Sequence, residues 1–192
     1  MTTAGYARRN LSGIPLSAMA AVPDVEGRTL LASAGGDGAV WLWDPATRRP
    51  VGDPLTGHTG PVWAVAAVPS VEGRMLLASA VGDGTVWLWD PATRKPVGAP
   101  LTGHTGPALA VAAVPRTDGR TLLASAGADG TVRLWDPGTG SPVGDPLIGH
   151  TGVVQAVAAV PGPDGARCWP PPAPTARCGC GTRSLAGRSA LR

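Results

Sequence analysis

The tetrapeptide Gly-His-Thr-Gly occurs at 57–60, 103–106 and 149–152, and its histidines, His58, His104 and His150, are spaced 46 residues apart both times. The same period carries Trp-Leu-Trp-Asp-Pro at 41–45 and 87–91, Arg-Leu-Trp-Asp-Pro at 133–137, and Leu-Leu-Ala-Ser-Ala at 30–34, 76–80 and 122–126. Pro23, Pro69, Pro115 and Pro161 keep it too. Such self-similarity marks a repeat architecture, in which one supersecondary unit cannot bury its own apolar surface and relies on its neighbours.

Each unit reads as four strands. In the middle copy, 61–69 is an apolar run bounded by prolines and 74–80 is a second such run. A Gly-Asp-Gly turn follows at 82–84, then a third strand over 85–90 and a short, proline-limited fourth within 95–103, suited to a sheet edge. Both faces of these strands are apolar, as in a sheet covered on both sides. With 28 glycines, 21 prolines, no phenylalanine and one tyrosine, the chain favours short strands and tight turns over long helices. Radial stacking of thin sheets gives a propeller, and the small residues of Ala-Val-Ala-Ala-Val at 64–68, 110–114 and 156–160 fit the crowded innermost strand. The expected fold is all-β: three to four four-stranded antiparallel blades in an open arc. The repeat region runs over 14–161, with an N-terminal extension at 1–13 and a disordered tail at 162–192.

With Gly-His and Trp-Asp signatures in one register, residues 14–161 resemble WD40 repeats, the units of a β-propeller family. The resemblance implies a hydrogen-bonded tetrad in each blade: His58, Ser79, Asp83 and Trp89, then His104, Ser125, Asp129 and Trp135. The first unit has only Ser33, Asp37 and Trp43, because Ser12 stands where the histidine belongs. Hydrogen-bond chemistry agrees, since Asp accepts, Trp donates, and His and Ser do both. Serine, histidine and aspartate together also invite a hydrolase reading. A triad requires one unique, accessible copy, whereas this set recurs in register, so it is read as structural and no catalytic residue is assigned.

The resemblance implies a non-catalytic scaffold that binds a protein or peptide, part of a larger repeat or regulatory protein. Function then resides where the units differ. Trp63, Leu109 and Gln155 are equivalent, as are Trp41, Trp87 and Arg133. Relatives often carry polar residues at both places, so Trp41, Trp63, Trp87 and Arg133 are the candidate partner contacts. The alternative is that these rings cover neighbouring blades. Arg48, Arg49, Arg94 and Lys95 read as solvated loop charges. Of the formal +3, five arginines and one aspartate lie after residue 161, which leaves eleven bases against twelve acids in the body. No nucleic-acid partner is expected of so neutral a surface. No apolar run reaches membrane-spanning length, no secretion signal is read, and the expected location is cytoplasmic. No cofactor is expected. Exposed blade faces at both ends of an arc lead to an expectation of self-association.

The three cysteines, Cys168, Cys178 and Cys180, sit in a proline-rich stretch without zinc-ligand spacing, so no metal site is assigned. The stretch has a simpler reading. With suitable synonymous codons, residues 166–184 read two bases further on spell Thr-Val-Leu-Ala-Ser-Ala-Gly-Ala-Asp-Gly-Thr-Val-Arg-Leu-Trp-Asp-Pro-Glu, nearly residues 121–138 over again. The expectation is out-of-frame translation from about residue 166, and with it the alternative that the chain is a non-functional gene fragment.

Overall fold

The computed structural model describes residues 16–23, 27–70 and 73–160. The N-terminal extension, the three cysteines and the expected shifted-frame tail lie outside the described residues.

Among the described residues, eleven strands form three antiparallel meanders. The first is β1 (Leu16–Pro23), β2 (Thr29–Gly35), β3 (Val40–Asp44) and β4 (Arg49–Pro50), in that spatial order. The second repeats it with β5 (Val62–Pro69), β6 (Met75–Val81), β7 (Val86–Asp90) and β8 (Lys95–Pro96). The third has β9 (Ala108–Pro115), β10 (Thr121–Gly127) and β11 (Val132–Trp135). Its outer strand is reduced to two bridges, Trp135 with Pro142 and Val132 with Leu147. Prolines explain why every outer strand is so short: Pro96 and Pro100 have no N–H to give a ladder, and Pro142 and Pro146 repeat them. No helix occurs among the described residues.

Tight turns join the strands. After β6, Gly84 takes φ +87 and donates its N–H to the Val81 carbonyl, a conformation open to glycine at little cost. The next loop, between β7 and β8, is an Asx turn, in which Asp90 accepts from the Ala92 N–H at 2.8 Å. Arg94 closes it at φ +57. Arg48 and Gly140 hold the same place in the other units, at φ +58 and +71.

The core lies between the sheets rather than inside any one of them. Val62, Val65, Leu77 and Trp89 of the second blade pack on Val40, Leu42 and Leu55 of the first. One period on, Ala108, Val111, Leu123 and Trp135 pack on Val86, Leu88 and Leu101. Trp89 and Trp135 are each only 1% exposed. Full burial of each leucine or valine is worth about 1.5–3 kcal/mol, so each joint between blades is a hydrophobic core in its own right. The inner strands β1, β5 and β9 lie side by side, and their alanines permit that approach. Their poor strand propensity is overridden by packing.

Candidate functional site

The second and third blades each bury a serine between a tryptophan and a histidine. Ser125 pairs across the sheet with Arg133, two residues short of Trp135, so Trp135 extends along the same strand face. Its Nε1–H donates to Ser125 Oγ at 2.8 Å, and His104 Nε2 is 2.8 Å from that oxygen. In the second blade Trp89 donates to Ser79 Oγ at 3.0 Å, with His58 Nε2 at 2.9 Å. In the first, Trp43 donates to Ser33 Oγ at 2.7 Å.

The two blades differ at the outer end of the chain. His104 Nδ1 lies 3.1 and 3.0 Å from the carboxylate oxygens of Asp129. His58 Nδ1 instead meets the Gly38 carbonyl of the preceding blade at 2.8 Å. Asp83 takes the Thr59 hydroxyl, the Thr85 hydroxyl at 2.6 Å and the Thr85 N–H at 2.8 Å. The expected Asp83–His58 link is therefore replaced by a bond between blades. The reason is one side chain. A Cβ on Gly127 would stand 2.5 Å from His104 Nδ1 and 2.9 Å from the Asp129 carboxylate. The second blade has Val81 in that place. Its branched side chain fills the space in which such a pair would meet. Asp37, in the first blade, accepts from the Ala39 N–H at 3.2 Å and serves its own turn.

Both acceptors facing Nδ1, a carbonyl and a carboxylate, fix the proton on Nδ1. Nε2 then accepts from the serine hydroxyl, whose oxygen takes the indole N–H. Every member is satisfied with neutral histidines. Burial lowers the pKa of His58 and of His104, against the opposing pull of the Gly38 carbonyl and of Asp129. Burial opposes the Asp129 charge. The Thr105 and Thr131 N–H groups, the Thr131 hydroxyl and His104 outweigh it and bring that pKa down to about 2. The Ser125, His104 and Asp129 distances match those of a nucleophile–base pair. Yet Ser125 is 0% exposed and its oxygen is occupied by Trp135, so a substrate has no approach to it.

The exposed chemistry is at the same end of the blades. The pairing of β5 with β6 skips from Val62 to Ala64, which leaves Trp63 as the extra residue of a bulge. The same skip leaves out Leu109 in β9 and Ser17 in β1. Bulges re-aim a side chain, and Trp63 is 41% exposed in consequence. Its indole nitrogen lies over Gly82, where an added Cβ would come within 3.1 Å. The turns that carry Asp37 and Asp83 both lie against Gly60, three residues before Trp63. Asp83 carries its charge, because the threonine hydrogen bonds lower its pKa despite burial.

The other candidate contacts are placed differently. Trp87 is half-buried, stacks on Trp89 with ring centres 5.5 Å apart and 14° between planes, and donates its N–H to Thr85. Trp41 is half-buried and lies 6.0 Å from Trp43. Arg133, also half-buried, has its Nε shielded from solvent without a partner, with a terminal nitrogen over Gly103. Arg94 reaches the Val51 carbonyl at 3.3 Å. At the opposite end, grooves of about 410 and 430 Å³ lie between neighbouring blades. Arg120, Asp136 and Pro137 line one, as their equivalents Arg74, Asp90 and Pro91 line the other, so these grooves belong to the repeat rather than to one site. No group of three or more His, Cys, Asp or Glu side chains placed to hold a metal occurs among the described residues.

The model of the family described as "WD domain, G-beta repeat" matches residues 49–90 and 94–136. No curated protein matches the chain. WD40 domains are generally non-catalytic scaffolds for protein interaction. With sheets stacked as successive blades of a partial propeller, and with the family's pattern in both matched units, residues 49–90 and 94–136 are WD40 repeats.

Proposed function

We propose that this chain is a non-catalytic module that binds a protein or peptide at the blade end carrying Trp63. The single observation that carries this reading is the bulge in β5. It turns a large aromatic side chain out of the fold, at 41% exposure, among turns bearing Asp37 and Asp83. Aromatic residues dominate interface hot spots. Carboxylates beside an exposed indole favour a basic side chain, which stacks on the ring and is steered by the acids. Trp41, Trp87 and Arg133, the other candidate contacts, are half-buried and offer less of their surface to a partner.

The module does no chemistry in this reading. Its serines are buried under tryptophans, and the Ser-His set recurs from blade to blade. Selection from a random peptide display library, followed by calorimetric titration of the enriched peptides, tests it. The expected binders carry lysine or arginine, weaken with added salt, and lose at least tenfold in affinity to Trp63→Ala at unchanged melting temperature. Enriched peptides indifferent to Trp63→Ala, or ester hydrolysis that Ser79→Ala abolishes, would overturn the proposal.

A further inference from the structure

We infer that a second copy of this chain docks head to tail, the rear face of one first blade on the front face of another third blade. The chain shows this joint twice within itself. At each internal joint a rear face made of an inner-strand pair, a leucine and a tryptophan is buried: Val62, Val65, Leu77 and Trp89, then Ala108, Val111, Leu123 and Trp135. The residues one period earlier are Leu16, Met19, Leu31 and Trp43. They have the same apolar character, and among the described residues no blade packs on them. Leu16 and Met19 are each 59% exposed, against 0% for Val62 and 8% for Val65.

The receiving face is equally repeated. Leu55 and Leu101 are 1% and 4% exposed at the internal joints, while their equivalent Leu147 is 39% exposed. Val132 and Leu134 are half-buried where Val86 and Leu88 are buried. The segment 153–160 lies over the inner part of this face, with Val154 packed on Ala110 and Ala126 and its N–H on the Gly127 carbonyl. Val154 is the repeat equivalent of Val62 and Ala108. That segment holds the place of an incoming β1 with one strand where a docked blade offers four, and docking displaces it. Val153 and Val160 remain 52% and 85% exposed. The chain thus carries both halves of an interface whose complementarity its own blades demonstrate. The contact is heterologous and uses neither Trp63 nor the turns around it, so it extends into chains or closes into a ring.

Two charge substitutions on exposed residues test the inference on the full chain. Sedimentation velocity at micromolar concentrations is expected to show wild-type species larger than the 19.2 kDa monomer, growing with concentration. Met19→Glu removes the rear face and Leu147→Arg the front face, so each variant alone is expected to be monomeric, with an unchanged circular dichroism spectrum and melting temperature. An equimolar mixture keeps one good face of each kind and is expected to form a dimer that cannot extend. Leu16→Glu should behave as Met19→Glu does. A monomeric wild type, variants as associated as the wild type, or a mixture that stays monomeric would each overturn the inference. So would loss of association in Met19→Glu but not in Leu147→Arg, which means rear-to-rear pairing.

Discussion

Asp129 accepts the Nδ1 proton of His104 through both carboxylate oxygens, at 3.1 and 3.0 Å, in a space that only the absent side chain of Gly127 leaves open. The equivalent aspartate, Asp83, has no such space and bonds to threonines. The two blades therefore respond differently to the same substitution. Asp129→Ala orphans His104 Nδ1 and the N–H groups of Thr105 and Thr131, for an expected loss of about 2–3 kcal/mol. Asp83→Ala leaves His58 on the Gly38 carbonyl and costs about 1 kcal/mol. Urea denaturation of the two variants reads the difference; equal losses contradict it.

Gly127→Val tests the cause directly. Its side chain occupies the meeting point of His104 and Asp129, so that pair separates. The expected cost is about 1–3 kcal/mol from overpacking. The reciprocal Val81→Gly opens room beside His58 but leaves a cavity, and is expected to destabilise by about 1–2 kcal/mol. Nitrogen-15 shifts of the imidazoles report whether His104 has lost its carboxylate. An unchanged His104 resonance in Gly127→Val argues against the steric explanation.

Acid stability follows from the same groups. The native pKa values of His58 and His104 lie below the ordinary histidine value of 6.5, so the unfolded chain binds protons first as pH falls. Stability is full above about pH 6.5 and declines below it. Asp129, down at about 2 against 3.8, has the same sign in a lower window. Its contribution, on the order of 2 kcal/mol, is present above about pH 4 and lost as pH falls through 2. Melting temperatures measured from pH 8 to pH 2 should decline in two stages. Asp129→Asn removes the lower one, and a flat profile between pH 7 and 5 excludes the histidine part.

The period of 46 residues made the blades legible, because it reports directly which apolar strands share a joint. Trp89 and Ser79 were legible for the same reason: spacing puts them on neighbouring strands, and burial forces a donor to find an acceptor. The absence of a bond between Asp83 and His58 was not, since it turns on Val81, a neighbour that the repeat motif does not include. Trp63 and Trp87 look alike as letters in the chain. A bulge turns the first outward, while Trp87, two residues from Trp89 on the same strand face, stacks on it. The Trp-x-Trp spacing carried that signal; the bulge had none. The outer strand of the third blade, read as a strand, is two bridges, at Pro142 and Leu147, where Pro142 and Pro146 have no N–H to give a ladder.

The two tryptophans therefore separate in mutation. Trp87→Ala removes a ring stacked on Trp89 and edge-on to His58 at 5.6 Å, with an expected loss of about 2–4 kcal/mol. Trp63→Ala is expected to stay within about 0.5 kcal/mol of the wild type, as an exposed side chain should. Thermal denaturation distinguishes them; a destabilised Trp63→Ala would mean that the ring serves the fold.

Arg48 offers a stabilising change. It holds φ +58 in the loop after β3, a left-handed conformation that costs a residue with a Cβ about 1–2 kcal/mol. The third blade has Gly140 there, at φ +71. Glycine relieves the strain but adds freedom to the unfolded chain, which takes back about 0.4–1 kcal/mol. Arg48→Gly is thus expected to stabilise by about 0.5 kcal/mol, with no hydrogen bond of its exposed side chain to lose among those described. Arg94→Gly should gain less, since it forfeits the bond to the Val51 carbonyl. Urea midpoints that fall for Arg48→Gly would show that its backbone carries no strain worth relieving.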